Sequence, residues 1–437
     1  MASLVGYYDV LGEPRLGLAS KALPRLLGAA LLLAVLGCRR TALPPPPALV
    51  ATPAAPPAPP ARGRPIALLY SSNLLGELSP CNCTLPLGGL ARRATAIARA
   101  RAESDAILVV DAGDLFGASR GADENRRRAA LLATAVARAG LTALTPGEHD
   151  LALGLPALRR IVAGAKLPMV SANLYAAGGD RLFDADRLVE AAGVQIGLFG
   201  VSAPPTPADA ARWRAAGIEA RDPVAAAREA VRSLRARGAG VVVALVHVGA
   251  PTESRRLVAA VGGIDWAVLG HSALNLESPE KVGGARLLEA MSEGKNLGRL
   301  DLHVVGGSLT FADRAQRAEI AGILADHRRQ LDEYDHPLGD TDPAALLEYR
   351  ATRRRQLTEA IGRETAVLAG LPEAVVGSWF ENRVVPLSPE IPEDPAVAAL
   401  IEGGGAGGES SPKGPPAGRR RPGVSHNGLS AGAGGHL

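Results

Sequence analysis

Short aliphatic runs alternate with Ala/Arg/Glu-rich segments of helical period from residue 65 to about residue 314. Short apolar runs are typical of buried strands, whereas apolar residues spaced three and four apart are typical of helices. The predicted strands are 66–71, 106–111, 168–173, 195–201, 241–247, 266–269, 285–290 and 300–305. The predicted helices are 90–102, 122–139, 155–163, 223–237 and 252–261. This alternation predicts an α/β domain over residues 65–312, with helices covering its strands.

The segments after residue 312 have a different character. Residues 313–372 place Ala, Leu and Ile at helical spacing among dense Arg, Glu and Gln, with one interruption, which predicts a helical hairpin. Residues 373–401 favour extended structure. Residues 402–437 are rich in Gly, Ser, Pro and Arg without periodicity, which predicts a disordered tail.

The N-terminal segment has the pattern of a targeting signal. Basic residues precede an apolar run over residues 26–36, about as long as the hydrophobic region of a signal peptide. The run ends in Val35-Leu36-Gly37-Cys38, which resembles the lipobox of bacterial lipoproteins. We expect residues 1–37 to be removed, Cys38 to carry lipid, and the Pro/Ala-rich remainder of residues 38–64 to be a spacer. The protein would then be anchored at the bacterial cell envelope, periplasmic or surface-facing; the alternatives are an uncleaved anchor and a plain secretory signal.

Composition narrows the class of protein. The 437-residue chain is 47% hydrophobic and 21% charged, which excludes a wholly disordered chain. Its 48 Lys and Arg and 44 Asp and Glu are interspersed, so the sequence shows no surface for a nucleic-acid polymer. Only three cysteines are present, which excludes a disulfide-stapled scaffold.

Polar residues follow several predicted strands at their carboxyl ends. They form the segments 71–76, 111–114, 147–150 and 270–272, together with His247. Because α/β sheets place their sites at the carboxyl ends of strands, we expect these side chains to lie together. Each segment alone is weak evidence, and their combination in this order is stronger.

The order of these segments resembles that of the calcineurin-like metallophosphoesterases, in particular the 5′-nucleotidase (UshA-like) branch. That family carries the motifs D-x-H, G-D, G-N-H-D/E, H and G-H-x-H. Residues 88–93 (GGLARR), 111–116 (DAGDLF) and 171–174 (SANL) agree with the same family. The resemblance covers residues 65–312 and implies a double β-sandwich flanked by helices, with two metals. It does not extend to the C-terminal domain with which typical 5′-nucleotidases bind the nucleoside.

The resemblance implies one metal site whose ligands are all present. The second metal of the family would be bound by Asp114, Glu148, His247 and His271. Glu148 stands where the family has Asn, and its added negative charge should strengthen binding of one divalent transition metal, Zn, Mn or Fe. His149 matches the family histidine that stabilises or protonates the leaving oxygen, so it is the candidate catalytic residue. The expected substrate is a phosphate-ester small molecule, with nucleotides among the candidates.

The positions of the first metal have changed. Asn73 and Leu75 replace the Asp and His of D-x-H, and Ala273 replaces the second His of G-H-x-H. Leu and Ala side chains have no lone pair to donate, so the sequence predicts a degenerate first site. Two-metal catalysis clamps both the attacking and the leaving oxygen, and hydrolysis with one metal is expected to be weak, altered or absent. The alternative is a purely structural metal, or none, with Arg neutralising the carboxylates.

A second unusual feature is the segment Cys81-Asn82-Cys83, in the loop after the first strand. It resembles a branch of UshA-like proteins, some of them selenoproteins, in which a pair of Cys or selenocysteine follows that strand. Three interpretations remain open: a redox pair or disulfide, soft ligands for a metal at the altered first site, or a loop without a chemical role. A redox pair would act on a redox partner protein.

The sequence leaves three hypotheses for function. The first is a lipid-anchored hydrolase of phosphate esters. The second is a redox or thiol module that uses Cys81 and Cys83 on a catalytically degenerate phosphoesterase fold. The third is a non-catalytic scaffold whose helical hairpin binds a partner.

Overall fold

The computed structural model describes residues 65–117, 120–335 and 344–405. The strands are β1 (Ile66–Ser71), β2 (Ala106–Asp111), β3 (Ala143–Leu144), β4 (Leu174–Ala176), β5 (Asp186–Ala191), β6 (Val194–Ser202), β7 (Ile218–Ala220), β8 (Val241–His247), β9 (Trp266–Leu269), β10 (Glu280–Val282), β11 (Ala285–Leu288), β12 (Asn296–His303), β13 (Ala312–Asp313) and β14 (Trp379–Pro386). The helices are α1 (Leu90–Glu103), α2 (Ala122–Arg138), α3 (Glu148–Ala152), α4 (Leu155–Ala165), α5 (Pro207–Ala215), α6 (Pro223–Ala236), α7 (Pro251–Ala260), α8 (Gln316–Asp335), α9 (Ala344–Gly370) and α10 (Pro395–Gly405).

Two six-stranded sheets form the centre of the fold. The first has the order β13-β14-β12-β1-β2-β3, and the second has the order β10-β11-β9-β8-β6-β5. β1 pairs in parallel with β2, and β8 pairs in parallel with both β6 and β9. Antiparallel strands complete both sheets, for example β12 beside β1 and β5 beside β6. Both sheets are therefore mixed, which confirms the predicted α/β class.

The two sheets share one apolar core. Leu68 and Tyr70 of β1 belong to the same cluster as Leu245 of β8 and Trp266 of β9. Tyr70 is fully buried, and its hydroxyl donates a hydrogen bond to Asn382 Oδ1 at 2.9 Å. Full burial of one large apolar side chain contributes about 1.5–3 kcal/mol, so this layer is a main source of stability. The arrangement confirms the predicted double β-sandwich.

Helices cover the outer faces of both sheets. α1, α2, α4 and α10 contribute to apolar clusters beside the first sheet, and α6 and α7 pack on the second. All five predicted helices are present, and each begins within one residue of its predicted start. In α6, Asp222 caps the N-terminus by accepting a hydrogen bond from the Val224 backbone N–H at 2.9 Å, while Val231 and Leu234 are buried.

The predicted helical hairpin is formed by α8 and α9, which pack antiparallel. The Arg317 guanidinium, near the start of α8, donates to the Leu368 carbonyl near the end of α9 at 3.1 Å. His327 and Glu364 are paired at 2.9 Å in the middle of the two helices. These polar contacts fix the register of the pair.

The strand predicted over residues 168–173 is wrong. The chain there makes isolated bridges at Met169 and Val170, and the short strand β4 follows instead. Pro168 has no backbone N–H to donate to a ladder, which limits strand formation at this point.

The segment 373–401 contributes to the first sheet. β14 pairs antiparallel with β12 over its whole length, from Trp379 opposite His303 to Pro386 opposite Asn296. The sheet therefore extends beyond the boundary at residue 312 that the sequence suggested. The end of the segment is not extended, because α10 covers residues 395–405 and enters the predicted tail.

The predicted signal peptide, Cys38 and the spacer lie outside the described residues, as does the rest of the predicted tail. Among the residues that are described, no helix combines the length and the apolar character needed to span a bilayer.

Candidate metal centre

The carboxyl ends of four strands bring the predicted ligands together. Asp114 follows β2 and Glu148 begins α3 after β3 of the first sheet, while His247 ends β8 and His271 follows β9 of the second sheet. The ligand atoms of Glu148, His247 and His271 all lie within 4.8 Å of one another. Those of Asp114, Glu148 and His149 do so as well. The structure therefore assembles all five side chains into one cluster.

Glu148 is the centre of this cluster. Its Oε2 accepts a hydrogen bond from His247 Nε2 at 2.7 Å, and its Oε1 accepts one from His271 Nδ1 at 2.8 Å. Burial opposes ionisation of Glu148, but the two imidazole hydrogen bonds outweigh it and hold its pKa well below the ordinary value. The same contact raises the pKa of His271. The carboxylate form of Glu148 is thus strongly favoured.

His247 is held so that one ring nitrogen points into the cluster. It is buried, and its Nδ1–H donates to the Ala112 carbonyl at 2.7 Å. Its Nε2 therefore faces Glu148, and it lies 3.6 Å from Asp114 Oδ2. Burial favours the neutral ring, but the charges of Asp114 and Glu148 prevail and raise the pKa of His247 to about 9. A backbone hydrogen bond that fixes the second ring nitrogen is typical of metal-binding histidines.

Asp114 joins the cluster from a tight loop. Its Oδ1 accepts the His149 backbone N–H at 2.9 Å, and its Oδ2 lies 2.6 Å from His149 Nδ1. This hydrogen bond raises the pKa of His149. The buried Asp150 supports the loop by accepting the backbone N–H groups of Asp114 at 2.9 Å and Phe116 at 2.8 Å. Burial, and then the charge of Asp114, raise the pKa of Asp150 to about 7.

Two glycines are required by the close packing of these ligands. A Cβ at Gly147 would lie 2.1 Å from Asp114 Oδ1 and 2.6 Å from His247 Cε1. A Cβ at Gly270 would lie 2.5 Å from His247 Nδ1. Neither position has space for a side chain, which explains why Gly precedes Glu148 and His271 in the sequence.

The donor set fits a divalent transition metal. Imidazole nitrogens and carboxylate oxygens are the ligands that Zn, Mn and Fe sites use, and both types converge here. Within the part of the chain that the structure describes, no arginine forms an ion pair with Asp114 or Glu148. The alternative in which Arg neutralises these carboxylates is therefore not supported.

The three residues that the resemblance assigns to the first metal position do not add donors to the cluster. Asn73 uses its side-chain amide on the neighbouring loop: Oδ1 accepts the His271 backbone N–H at 2.9 Å, and Nδ2 donates to the Ser272 carbonyl. Leu75 and Ala273 have no donor atom, and Ala273 is exposed. Asn73 therefore positions the loop that carries His271.

The Cys81 and Cys83 thiols are both free, with Cys81 partly buried and Cys83 exposed. Although burial opposes ionisation, a hydrogen bond with Cys83 and the charge of Lys295 lower the pKa of Cys81. Neither thiol belongs to the groups of potential metal ligands among the described residues. The structure therefore gives no support to the interpretation of the pair as ligands at the first metal position.

The cluster opens into a cleft of about 870 Å³. Glu148, His149 and His271 line it together with the segment from Thr206 to Trp213, which contains most of α5. The sequence alone does not indicate that this segment belongs to the site. Its Thr-Pro-Ala-Asp start is a typical helix N-terminus and could have located α5, but not its place beside the cluster.

Sequence comparison finds nucleotide phosphoesterases, although no family model matches the chain. The 5′-nucleotidase of Vibrio cholerae is 26% identical over 258 residues, covering 51% of this chain and 46% of that protein. The 2′,3′-cyclic-nucleotide 2′-phosphodiesterase/3′-nucleotidase of Haemophilus influenzae is 28% identical over 214 residues, covering 42% of this chain and 32% of that protein. The chain thus spans less than half the length of these relatives.

Structural comparison finds the same fold in solved structures. The calcineurin-like phosphoesterase YfkN from Bacillus subtilis superposes with a TM-score of 0.54 at 16% identity, covering 78% of this chain and 97% of that chain. At this identity the likeness shows the fold alone. The chain is therefore similar in sequence to 5′-nucleotidases and related nucleotide phosphoesterases, and it has the fold of a calcineurin-like phosphoesterase.

Proposed function

We propose that the protein hydrolyses phosphate esters, with nucleotides among its substrates, and that it uses one divalent transition metal. Asp114, Glu148, His247 and His271 would hold the metal, which is Zn, Mn or Fe. The observation that carries the proposal is the position of Glu148, whose two oxygens contact His247 and His271 at 2.7 and 2.8 Å. The names of the relatives support a phosphoesterase activity.

When bound, a divalent metal supplies Lewis-acid charge that neutralises phosphoryl oxygens. The chain itself contributes His149, whose side chain lines the cleft and is 40% exposed. Its Nδ1–H is engaged by Asp114 at 2.6 Å, so Nε2 is the atom that can carry a proton to the leaving oxygen. Asp114 thus orients His149 as well as offering a ligand oxygen.

The residues at the first metal position determine the rate of ester hydrolysis that we expect. Asn73, Leu75 and Ala273 provide no carboxylate or imidazole there, so a second clamp on the attacking oxygen is missing. We therefore propose slow turnover compared with two-metal enzymes.

The test is hydrolysis of p-nitrophenyl phosphate and nucleoside monophosphates by the full chain loaded in turn with Zn²⁺, Mn²⁺ or Fe²⁺. Glu148→Gln should abolish both metal binding and turnover. Glu373→Gln, at an exposed position outside the cluster, is the matched control and should change neither. A fully loaded protein that hydrolyses none of these esters would contradict the proposal.

We propose further that the protein is a lipoprotein of the bacterial cell envelope, anchored through Cys38. The lipobox-like segment supports this location. Metabolic labelling with a fatty acid should mark the native chain and the Cys83→Ala control, but not Cys38→Ala. Equal labelling of Cys38→Ala would exclude the anchor.

A second candidate function is a thiol redox module. It is favoured by the mutual influence of the Cys81 and Cys83 thiols, which lowers the pKa of Cys81, and by the charge of Lys295, which acts on both in the same direction. Oxidation by a disulfide-containing partner protein would form one Cys81–Cys83 disulfide and reduce the partner's disulfide to two thiols. Titration in glutathione redox buffers, followed by thiol alkylation and mass spectrometry, should show reversible loss of both thiols together. Thiols that stay reduced in every buffer would exclude this function.

A further inference from the structure

The cleft beside the metal-ligand cluster is larger than a phosphate group requires. Its volume of about 870 Å³ falls in the range of about 300–1,000 Å³ that is usual for pockets of organic ligands. The ligand cluster forms only part of its lining, through Glu148, His149 and His271. The remaining space lies between α3 and the α5 segment and needs its own explanation.

The lining of this remaining space is mostly apolar. Leu151, Trp213 and Ile218 line the cleft and are buried to at least 95% in the fold, since they are 3%, 5% and 2% exposed. All three belong to one apolar cluster, so they form a fixed surface. The Trp213 indole N–H makes no hydrogen bond with any residue in the described part of the chain, which leaves it as a donor for a ligand.

The charged residues of the cleft near α5 neutralise each other. Asp209 forms an ion pair with Arg212 and also accepts a hydrogen bond from the Thr206 hydroxyl. Asp209 is buried, whereas the Arg212 side chain is 73% exposed. This end of the cleft therefore has no excess positive charge to attract a second phosphate.

We propose that the cleft between α3 and α5 binds the uncharged, ring-bearing organic group of a phosphate monoester, such as the nucleoside of a nucleoside monophosphate. The phosphate would lie at the Glu148 end, and the ring would contact Trp213, Leu151 and Ile218. This inference rests on the proposed hydrolase function for the placement of the phosphate. It assigns recognition of the organic group to the same domain that carries the metal ligands.

The test blocks the cleft without changing its polar residues. Ala152 and Ala216 line the cleft and are exposed, so Ala152→Phe and Ala216→Phe should fill it. Ala208, exposed on α5 and absent from the cleft lining, provides the matched control Ala208→Phe. Circular dichroism melting of each variant checks that the fold is retained.

Two readouts are compared for each variant in the full chain. The first is kcat/KM for adenosine 5′-monophosphate relative to methyl phosphate, which has no ring. The native protein should favour the nucleotide by about tenfold or more, and both cleft-filling variants should lose that preference. The second is binding of adenosine to metal-free protein, measured by saturation-transfer NMR, which the cleft-filling variants should abolish and Ala208→Phe should retain.

The outcomes separate this inference from the proposed function. If the native protein binds adenosine, the cleft-filling variants do not, and no ester is hydrolysed, the proposed binding cleft is supported and the proposed hydrolase function is wrong. If both esters are hydrolysed and the native protein shows no preference for the nucleotide, the proposed cleft function is wrong and the hydrolase function stands. The same conclusion follows if the cleft-filling variants keep that preference. Absence of both hydrolysis and adenosine binding overturns both.

Discussion

The Asn73 side chain accepts a hydrogen bond from the His271 backbone N–H at 2.9 Å, joining two residues 198 positions apart in the sequence. The same amide donates to the Ser272 carbonyl, so it holds both sides of the turn that carries His271. His271 has a φ of +64°, a conformation that a non-glycine residue adopts only when its surroundings hold it there. Asn73 is thus a positioning residue for a candidate metal ligand.

Asn73→Ala should weaken metal binding by about 10–100-fold, the usual effect of removing a group that orients a ligand. Isothermal titration with Zn²⁺ measures this directly. Asn125→Ala is the control, because the Asn125 amide also donates to a backbone carbonyl, that of Arg120 at 2.7 Å, but outside the ligand cluster. Equal zinc affinity in Asn73→Ala and Asn125→Ala would show that the His271 turn holds its conformation without Asn73.

The ligand cluster predicts a stoichiometry of about one metal per chain in protein purified without chelator. His247→Ala should reduce this to near zero, because it removes the buried nitrogen that faces both Asp114 and Glu148. His327→Ala, in the α8–α9 hairpin, should leave the stoichiometry unchanged. Elemental mass spectrometry provides the measurement, and one metal per chain retained in His247→Ala would place the metal elsewhere.

Gly147→Ala should also abolish metal binding, for a steric reason. The backbone at Gly147 has φ −101° and ψ −176°, which any residue can adopt, so the added methyl group acts through its contacts alone. The methyl would lie 2.1 Å from Asp114 Oδ1 and would displace that carboxylate. Gly121→Ala is the matched control, because no atom lies within 4 Å of its added Cβ. Unchanged zinc titration curves for Gly147→Ala would show that Asp114 is not required.

The fold was largely predictable because its strongest signals are local. Continuous apolar runs predicted the buried strands β1, β2 and β8 with their observed bounds or nearly so, since strands covered on both faces need no polar alternation. β14 could not be placed from its own sequence, because its position beside β12 depends on pairing with residues about 80 positions earlier. Long-range pairing has no local pattern.

The residues of the site were predictable only where a metal-binding side chain comes directly after the end of a strand. Asp114, His247 and His271 are found this way, because parallel strands align their carboxyl ends. The positioning role of Asn73 could not be predicted in this way, because its side chain contacts a turn that follows a strand of the other sheet. Trp213 and Asp209 were missed for the same reason: α5 meets the cluster only through the packing of the folded chain.

Glu289 provides a pH-dependent test of how the His271 loop is supported. It is 1% exposed and accepts hydrogen bonds from the Ser272 hydroxyl at 2.9 Å and the Leu274 backbone N–H at 3.0 Å. Burial raises the pKa of Glu289 from 4.5 to about 7, and these hydrogen bonds oppose the rise only in part. The folded protein therefore binds the Glu289 proton more tightly than the unfolded chain does.

The sign of the effect follows from that difference in proton binding. The contribution of Glu289 to the free energy of unfolding is complete below pH 4.5 and is lost as the pH rises to about 7. Glu289→Gln keeps the acceptor oxygen and removes the titration, so its stability relative to the native chain should increase over this interval by about 3 kcal/mol. Urea unfolding in the presence of chelator measures the difference. Glu390→Gln, at an exposed position, is the control, and its free energy of unfolding should match that of the native chain at every pH. A stability difference between Glu289→Gln and the native chain that does not change with pH would mean that Glu289 stays ionised in the folded protein.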